Sequence, residues 1–149
     1  MAGSEPWLTL GRSFETSLRL IEDPVRECYV AIGEPDRVTG FLLINMHGPF
    51  SGYIQTVLVH PEARGGGLGT RFVKFAEDRI LRDSPNVFLC VSSFNSAARR
   101  LYERLGYRLI GKLEAFVVDG YSELLMRKTT GPWATFSPHQ VDSPAEPRA

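Results

Sequence analysis

Hydrophobic positions along this chain follow two periods, and the switches between them lay out strands and helices in turn. Residues 26–32 and 38–46 are rich in β-branched, aromatic and aliphatic side chains. They are joined across Gly33-Glu34-Pro35-Asp36-Arg37, a turn-rich connection that suits an antiparallel hairpin. Residues 53–59 contain no Gly or Pro and read as a paired, largely buried strand. The apolar run 87–91 suits a strand buried on both faces and parallel to the previous one. Residues 107–110 and 122–127 read as a last antiparallel pair; the link between them carries Val117-Val118, a further strand candidate, and the turn Asp119-Gly120. The helical period occurs three times. Phe14, Leu18 and Ile21 keep it until Asp23-Pro24 stops them, after a short strand candidate at 7–10. Leu68, Phe72, Phe75, Ala76 and Ile80 share one face of a second helix, opposite Arg71, Lys74, Glu77 and Asp78. Ala97, Ala98, Leu101 and Leu105 form the stripe of a third.

Between the strand at 53–59 and the second helix the pattern breaks. His60-Pro61 ends the strand, because Pro61 has no N–H for the ladder, and Arg64-Gly65-Gly66-Gly67-Leu68-Gly69 then opens into the helix. Glycines let backbone N–H groups turn inward and approach a bulky anion, and the helix start adds unpaired donors and the positive end of its dipole. The pattern is a phosphate cradle with Arg64 at its rim. A nucleoside-triphosphate loop would end in Gly-Lys-Ser/Thr, and here Leu68-Gly69-Thr70 has no lysine. A dinucleotide fingerprint would carry a third glycine after Gly69, where Thr70 and Arg71 follow instead. What remains is Arg-x-x-Gly-x-Gly, formed by Arg64, Gly67 and Gly69. A second motif begins at Asn95, in NSAARRLYERLGY. Asn95 is a good N-cap and Gly106 a fitting residue just past the C-terminus. Asn95 and Tyr102 are seven apart and lie on nearly the same face.

Together, over about residues 28 to 128, the two motifs resemble the acyl-CoA pyrophosphate signature and the Asn…Tyr…Gly-aromatic signature of the GNAT superfamily of N-acetyltransferases. The resemblance implies an α/β (α+β) fold: a mixed, mostly antiparallel central sheet with a splayed parallel strand pair and helices on both faces. It implies acetyl-CoA as cosubstrate and a primary amine, of a small molecule or a protein, as acceptor, reacting directly in a ternary complex. Val57, Leu58 and Val59 would offer backbone to pantetheine, with an N–H near Leu58 or Val59 as oxyanion donor. Arg64, Gly65, Gly66, Gly67, Leu68, Gly69 and Thr70 would hold the pyrophosphate, and Asn95 would cap its helix and contact the CoA arm. Tyr102 would be the general acid: a phenol with a reference pKa of about 10 is protonated at neutral pH and can serve a departing thiolate. The base is where this chain departs from better-understood members. Some carry a Glu where this chain has Tyr53, and the ribosomal-protein alanine acetyltransferases carry one where it has Cys90. Gln55, Tyr53, His60, Glu114 and Glu123 remain as candidates. Without an obvious base, a non-catalytic acyl-CoA-binding regulatory or interaction module is the second reading. The family commonly walls the acceptor site with two N-terminal helices. The shorter beginning here implies an open groove or one completed by a partner subunit, and so a homodimer.

Composition narrows the partners. The 149 residues fit one domain over 1–130, followed by a tail, 131–149, that holds four prolines and little apolar content besides Trp133 and Phe136. Lys plus Arg equals Asp plus Glu at 17 each, so nucleic acid and anionic membrane are not expected partners. No apolar run approaches the roughly 20 residues of a membrane span, and the start lacks the basic and apolar regions of a signal peptide, so a soluble, cytoplasmic protein is expected. Cys28 and Cys90 form no Cys-x-x-Cys pair or Cys/His cluster, so neither a disulfide nor a metal site is expected; both read as small buried hydrophobes.

Overall fold

The computed structural model describes residues 3–138. Helix α1 (Phe14–Glu22) precedes the hairpin β1 (Arg26–Gly33) and β2 (Arg37–Asn45). Then come β3 (Tyr53–Val59), α2 (Leu68–Ile80), β4 (Asn86–Ser92), α3 (Ser96–Arg104), β5 (Arg108–Glu114) and β6 (Ser122–Thr129). The strands form one sheet in the order β1-β2-β3-β4-β6-β5, antiparallel throughout except for the β3–β4 pair.

Helices cover both faces, and the alternation of side chains along β2 shows how. Leu42 and Ile44 point to the face of α2 and α3, where they pack with Val73, Ala76, Ile80 and Tyr102 and with Val87, Leu89 and Met126 of the neighbouring strands. Phe41 and Leu43 point the other way, joining Leu58, Trp7 and the α1 residues Leu20 and Ile21. Leu42, Leu43 and Ile44 are wholly buried, which places the middle of β2 at the centre of both layers. Fully burying each such side chain stabilises the fold by about 1.5–3 kcal/mol.

One irregularity shapes the sheet. The β2–β3 register passes from Leu43↔Thr56 to Ile44↔Ile54, so Gln55 is an extra residue on β3. A bulge bends its strand and increases local twist. Here it lies where β3 parts from β4: their pairing is confined to Tyr53↔Phe88 and Ile54↔Leu89. The splayed pair implied by the sequence resemblance is therefore present.

Several sequence expectations are corrected. Residues 7–10 form turns, not a strand: Trp7 and Leu8 both donate to the Ser4 carbonyl and Leu10 to that of Pro6. Pro6 cannot serve a ladder, and burying Trp7 on Phe41 and Leu43 holds the turns down. Val117-Val118 is a bend and belongs to no strand, with Val117 exposed and Val118 half-buried. Cys28 is exposed and Cys90 only half-buried. β1 is an edge strand, and α1 covers its inner neighbour, so Cys28, Val30 and Ile32 face outward. The inner stripe of α2 is also rotated from the expected one. Glu77 is buried and accepts from Lys128 Nζ at 2.7 Å, while Phe75 is 46% exposed and meets Tyr29 edge-on. At the C-terminal end Trp133–Thr135 form a 3-10 turn and the rings of Trp133 and Phe136 meet at 5.6 Å; the rest of the predicted tail, from 139 on, lies outside the described residues.

Gly52 anchors the entry to β3. Its φ is +88°, and a Cβ there would lie 2.5 Å from both the Asn86 carbonyl oxygen and Ile80 Cγ2. Gly52→Ala is expected to destabilise the protein by about 2–4 kcal/mol, combining left-handed strain with overpacking. Urea unfolding checks this: the midpoint should fall while the slope stays unchanged.

Candidate functional site

Once β3 leaves β4, its backbone on that side has no partner strand. The His60 N–H donates to the Thr39 carbonyl at 2.8 Å, so the alternation of antiparallel pairing turns His60, Leu58 and Thr56 toward β2. Val57 and Val59 are the residues whose backbone faces the gap. Both also line a cleft of about 770 Å³ that runs from the gap over the glycine loop, between α2 and α3. Leu58 stands apart from it, its side chain buried against Phe41 and Leu43.

At the cleft floor lies the loop itself. Pro61–Ala63 make one 3-10 turn after β3, and Arg64 Nε reaches back to the Val59 carbonyl at 3.2 Å. Gly65 and Gly67 have φ of +83° and +78°, yet a Cβ on either would meet no protein atom within 4 Å. Glycine is required there by backbone conformation, and the space in front of it is open. Gly67 is also the N-cap of α2 and offers no side-chain cap, and the first turn carries no acidic residue. The leading N–H groups of a 13-residue helix are thus left for an anion. Gly65, Gly67, Leu68, Gly69, Thr70 and Arg64 all line the cleft; Gly66 turns to a smaller pocket on the β1 side. An open cradle of glycines beside an uncapped helix start fits a pyrophosphate, and the unpaired β3 edge fits an extended amide-bearing arm.

The opposite wall is α3. Asn95 caps it, its Oδ1 accepting from the Ala98 N–H at 3.2 Å, and lines the cleft. Tyr102 sits one turn from the other end, where a Schellman closure is complete: the Gly106 N–H donates to the Glu103 carbonyl and the Tyr107 N–H to that of Tyr102, with Gly106 at φ +92°. The same closure sets the Tyr107 ring edge-on against the Tyr102 ring, 5.9 Å between centroids. Tyr102 is 9% exposed, its hydroxyl has no hydrogen-bond partner among the described residues, and burial pushes its pKa up to about 12.

Residues that sequence reasoning missed complete the cleft. Leu101 and Arg104 follow Ala97 at i+4 and i+7, a spacing that was there to be read as a second face of α3. Glu5, Pro6, Trp7 and Thr9 come from the N-terminal turns, which no local pattern links to the loop.

The remaining candidates divide by face. His60 is tied into the loop, Nδ1 accepting from the Glu62 N–H at 3.3 Å and Nε2 lying 2.9 Å from Arg37 Nη2. Gln55 accepts from Arg26 Nε, and Glu114 is exposed and paired with Lys112. Tyr53, Cys90 and Glu123 come together on the sheet face opposite Tyr102. Burial first, then Cys90 and Glu123, push the Tyr53 phenol far up; burial first, with Glu123, raises the Cys90 thiol, against the influence of the neighbouring Tyr53 hydroxyl. Glu123 is 7% exposed and accepts from the Ser92 hydroxyl at 2.6 Å.

A family model described as Acetyltransferase (GNAT) family matches residues 4–107. An uncharacterized N-acetyltransferase of Methanocaldococcus jannaschii is 33% identical over 103 residues, covering 68% of this chain and 65% of that protein. Mycothiol acetyltransferase of Kocuria rhizophila is 35% identical over 108 residues, covering 67% of this chain but only 35% of its own length. The chain thus spans under two thirds of either relative. Among solved structures, a putative streptothricin acetyltransferase from Bacillus anthracis, in complex with acetyl coenzyme A, shares the fold with a TM-score of 0.65 at 19% identity, covering 75% of this chain and 66% of that one. With a family-model match that spans residues 4–107, well over half of the chain, the chain belongs to the GNAT acetyltransferase family.

Proposed function

We propose that this protein is an acetyl-CoA-dependent N-acetyltransferase that acts on a primary amine in a ternary complex. The observation that carries the reading is the convergence, on one cleft, of an uncapped helix start, an unpaired strand edge and the phenol of Tyr102, its ring buried and its hydroxyl without a hydrogen-bond partner among the described residues. A module that only bound the cosubstrate would need the first two and would have no use for the third. A structure solved with acetyl coenzyme A agrees in fold.

Acetyl-CoA supplies the activated acyl group as a thioester. The backbone N–H of Val57 or Val59 is the donor for the carbonyl oxygen as negative charge develops on it, and its fixed position avoids reorganisation during reaction. Tyr102 gives its proton to the departing sulfur. A pKa near 12 keeps it in the donor form across the neutral range, and the burial that raises it raises a thiolate in the same cleft too. Leu101 and Val57 give the cleft apolar walls beside the thioester. A cytoplasmic location beside the acetyl-CoA pool, and a second copy of the chain completing the thinly walled acceptor groove, belong to the same proposal.

Three measurements test it. Gly67→Val puts a β-branched residue at φ +78° and fills the open space before the cradle, so acetyl-CoA affinity by calorimetry should drop at least about tenfold. Parent-like binding by the folded variant would remove the cradle. Tyr102→Phe keeps the ring on Tyr107 and removes the donor; kcat should fall about 10²-fold with acetyl-CoA affinity nearly unchanged. An unchanged kcat, or no CoA release from the parent with butylamine, lysine and spermidine, would sink the acid or the transferase reading respectively. Light scattering at tens of micromolar should give a dimer mass, and a monomer mass throughout would end that part of the proposal.

A further inference from the structure

Two carboxylates are buried among the described residues, and they differ in one respect. Glu77 has Lys128 Nζ at 2.7 Å, whereas Glu123 has no cation within ion-pair distance. Its hydrogen-bond partner is neutral, the Ser92 hydroxyl. A charge taken out of water normally keeps a counter-charge or is neutralised by a proton, so a carboxylate held this way can take up either.

Its position says where a cation would come from. Glu123 is the register partner of Ser92, the last residue of β4, at the end where β3 and β4 have separated. Tyr53 and Cys90 share its face of the sheet, and Tyr102 lies on the other face with α2 and α3. Tyr102 thus lines the cleft from one face of the sheet, and Glu123 lies on the other face beside the last residue of β4, past the point where that strand has parted from β3. The groups around Glu123 are Ser92 and Cys90 from β4, Tyr53 from β3 and Arg12 from the N-terminal segment, which attracts it from beyond pairing distance. Tyr53 and Cys90 hold their protons firmly, so neither competes as a base. His60, Gln55 and Glu114 are engaged elsewhere.

Resting on the transferase reading, we propose that Glu123 receives the acceptor: it binds an aliphatic primary ammonium and takes its proton, so the substrates are amines that arrive charged. A proton passes from the ammonium nitrogen to a Glu123 oxygen and on to water. The freed nitrogen pair forms the C–N bond as the C–S bond breaks, the nitrogen releases its second proton, and the sulfur receives one through Tyr102. Amide, CoA thiol and one proton are the net products. Burial raises the Glu123 carboxyl, against the Ser92 hydrogen bond and the Arg12 charge, which brings it closer to the affinity a base needs.

The sign of the pH effect follows. Glu123 is a base only when ionised, so kcat/KM should fall as pH drops through its raised pKa, giving an acidic limb above the usual carboxylate range. Glu123→Gln should lower kcat/KM about 10²-fold at pH 7 with the fastest amine of butylamine, lysine and spermidine. The deficit should shrink toward pH 10, near the amine's own pKa, where uncharged amine exists in solution. Ser92→Ala removes a hydrogen bond that favours the charged form and should move the acidic limb up by about half a unit to one unit. Acetyl-CoA affinity should be parental in both. A glutamine variant with parental kcat/KM between about pH 6 and 9 would overturn the role of Glu123 and leave the transferase standing. So would a Ser92→Ala limb that does not move, which decides the matter if the glutamine variant does not fold. A parent with no turnover overturns both readings.

Discussion

The site depends on β3 pairing with β4 for two residues and then letting go. The extra residue at Gln55 lies between the paired and unpaired parts, so one insertion both bends the strand and exchanges which side chains face α2. Ile54 looks toward Leu42 and Ile44, and after the bulge Thr56 and Leu58 look toward Leu43 and Phe41. Without this change of register Val57 and Val59 could not turn their backbone to the gap while Leu58 still closes the second core. The opening is a consequence of satisfied packing on both faces, with polar backbone exposed only where a ligand can meet it.

A sheet opened in this way has two sides, and the proposed chemistry uses each. On the side of α2 and α3, burial makes the phenol of Tyr102 reluctant to lose its proton. On the other side burial makes Glu123 readier to gain one. The same physical cause, removal of water from an ionisable group, favours the protonated form of both: it keeps the proton on the group proposed to give and strengthens the basicity of the group proposed to take. The Schellman closure at Gly106 fixes the first through Tyr107, and the Ser92 hydroxyl orients the second.

What was legible in the sequence was what is written locally. The glycine loop, the Asn95 cap, the Gly106 ending and the strand order around them each depend on residues within one turn or one hairpin, and their backbone preferences act at short range. The splay was legible only through the resemblance, since no residue pattern states how far two strands pair. What was missed is non-local. Ser92 and Glu123 are 31 positions apart and meet through the β4–β6 register. Trp7 and Thr9 reach the cleft because turns fold them back across the sheet. Cys28 was misread because an apolar run says nothing about whether its strand is at an edge, and Glu77 because a charged residue in a helix defaults to the solvent side until its Lys128 partner is known.

None of the described residues that line the cleft is a lysine; its cationic side chains are Arg64 and Arg104. A thioester reacts slowly and unaided with any nearby unprotonated lysine, and a cradle built on that residue would be blunted by its own ligand over time. Guanidinium groups stay protonated and backbone amides carry no nucleophile, so this floor is chemically inert toward what it holds. The chain has lysines only at 74, 112 and 128, and the last is already engaged with Glu77. Self-modification would therefore fall on the outer surface, away from the place where the acyl donor rests.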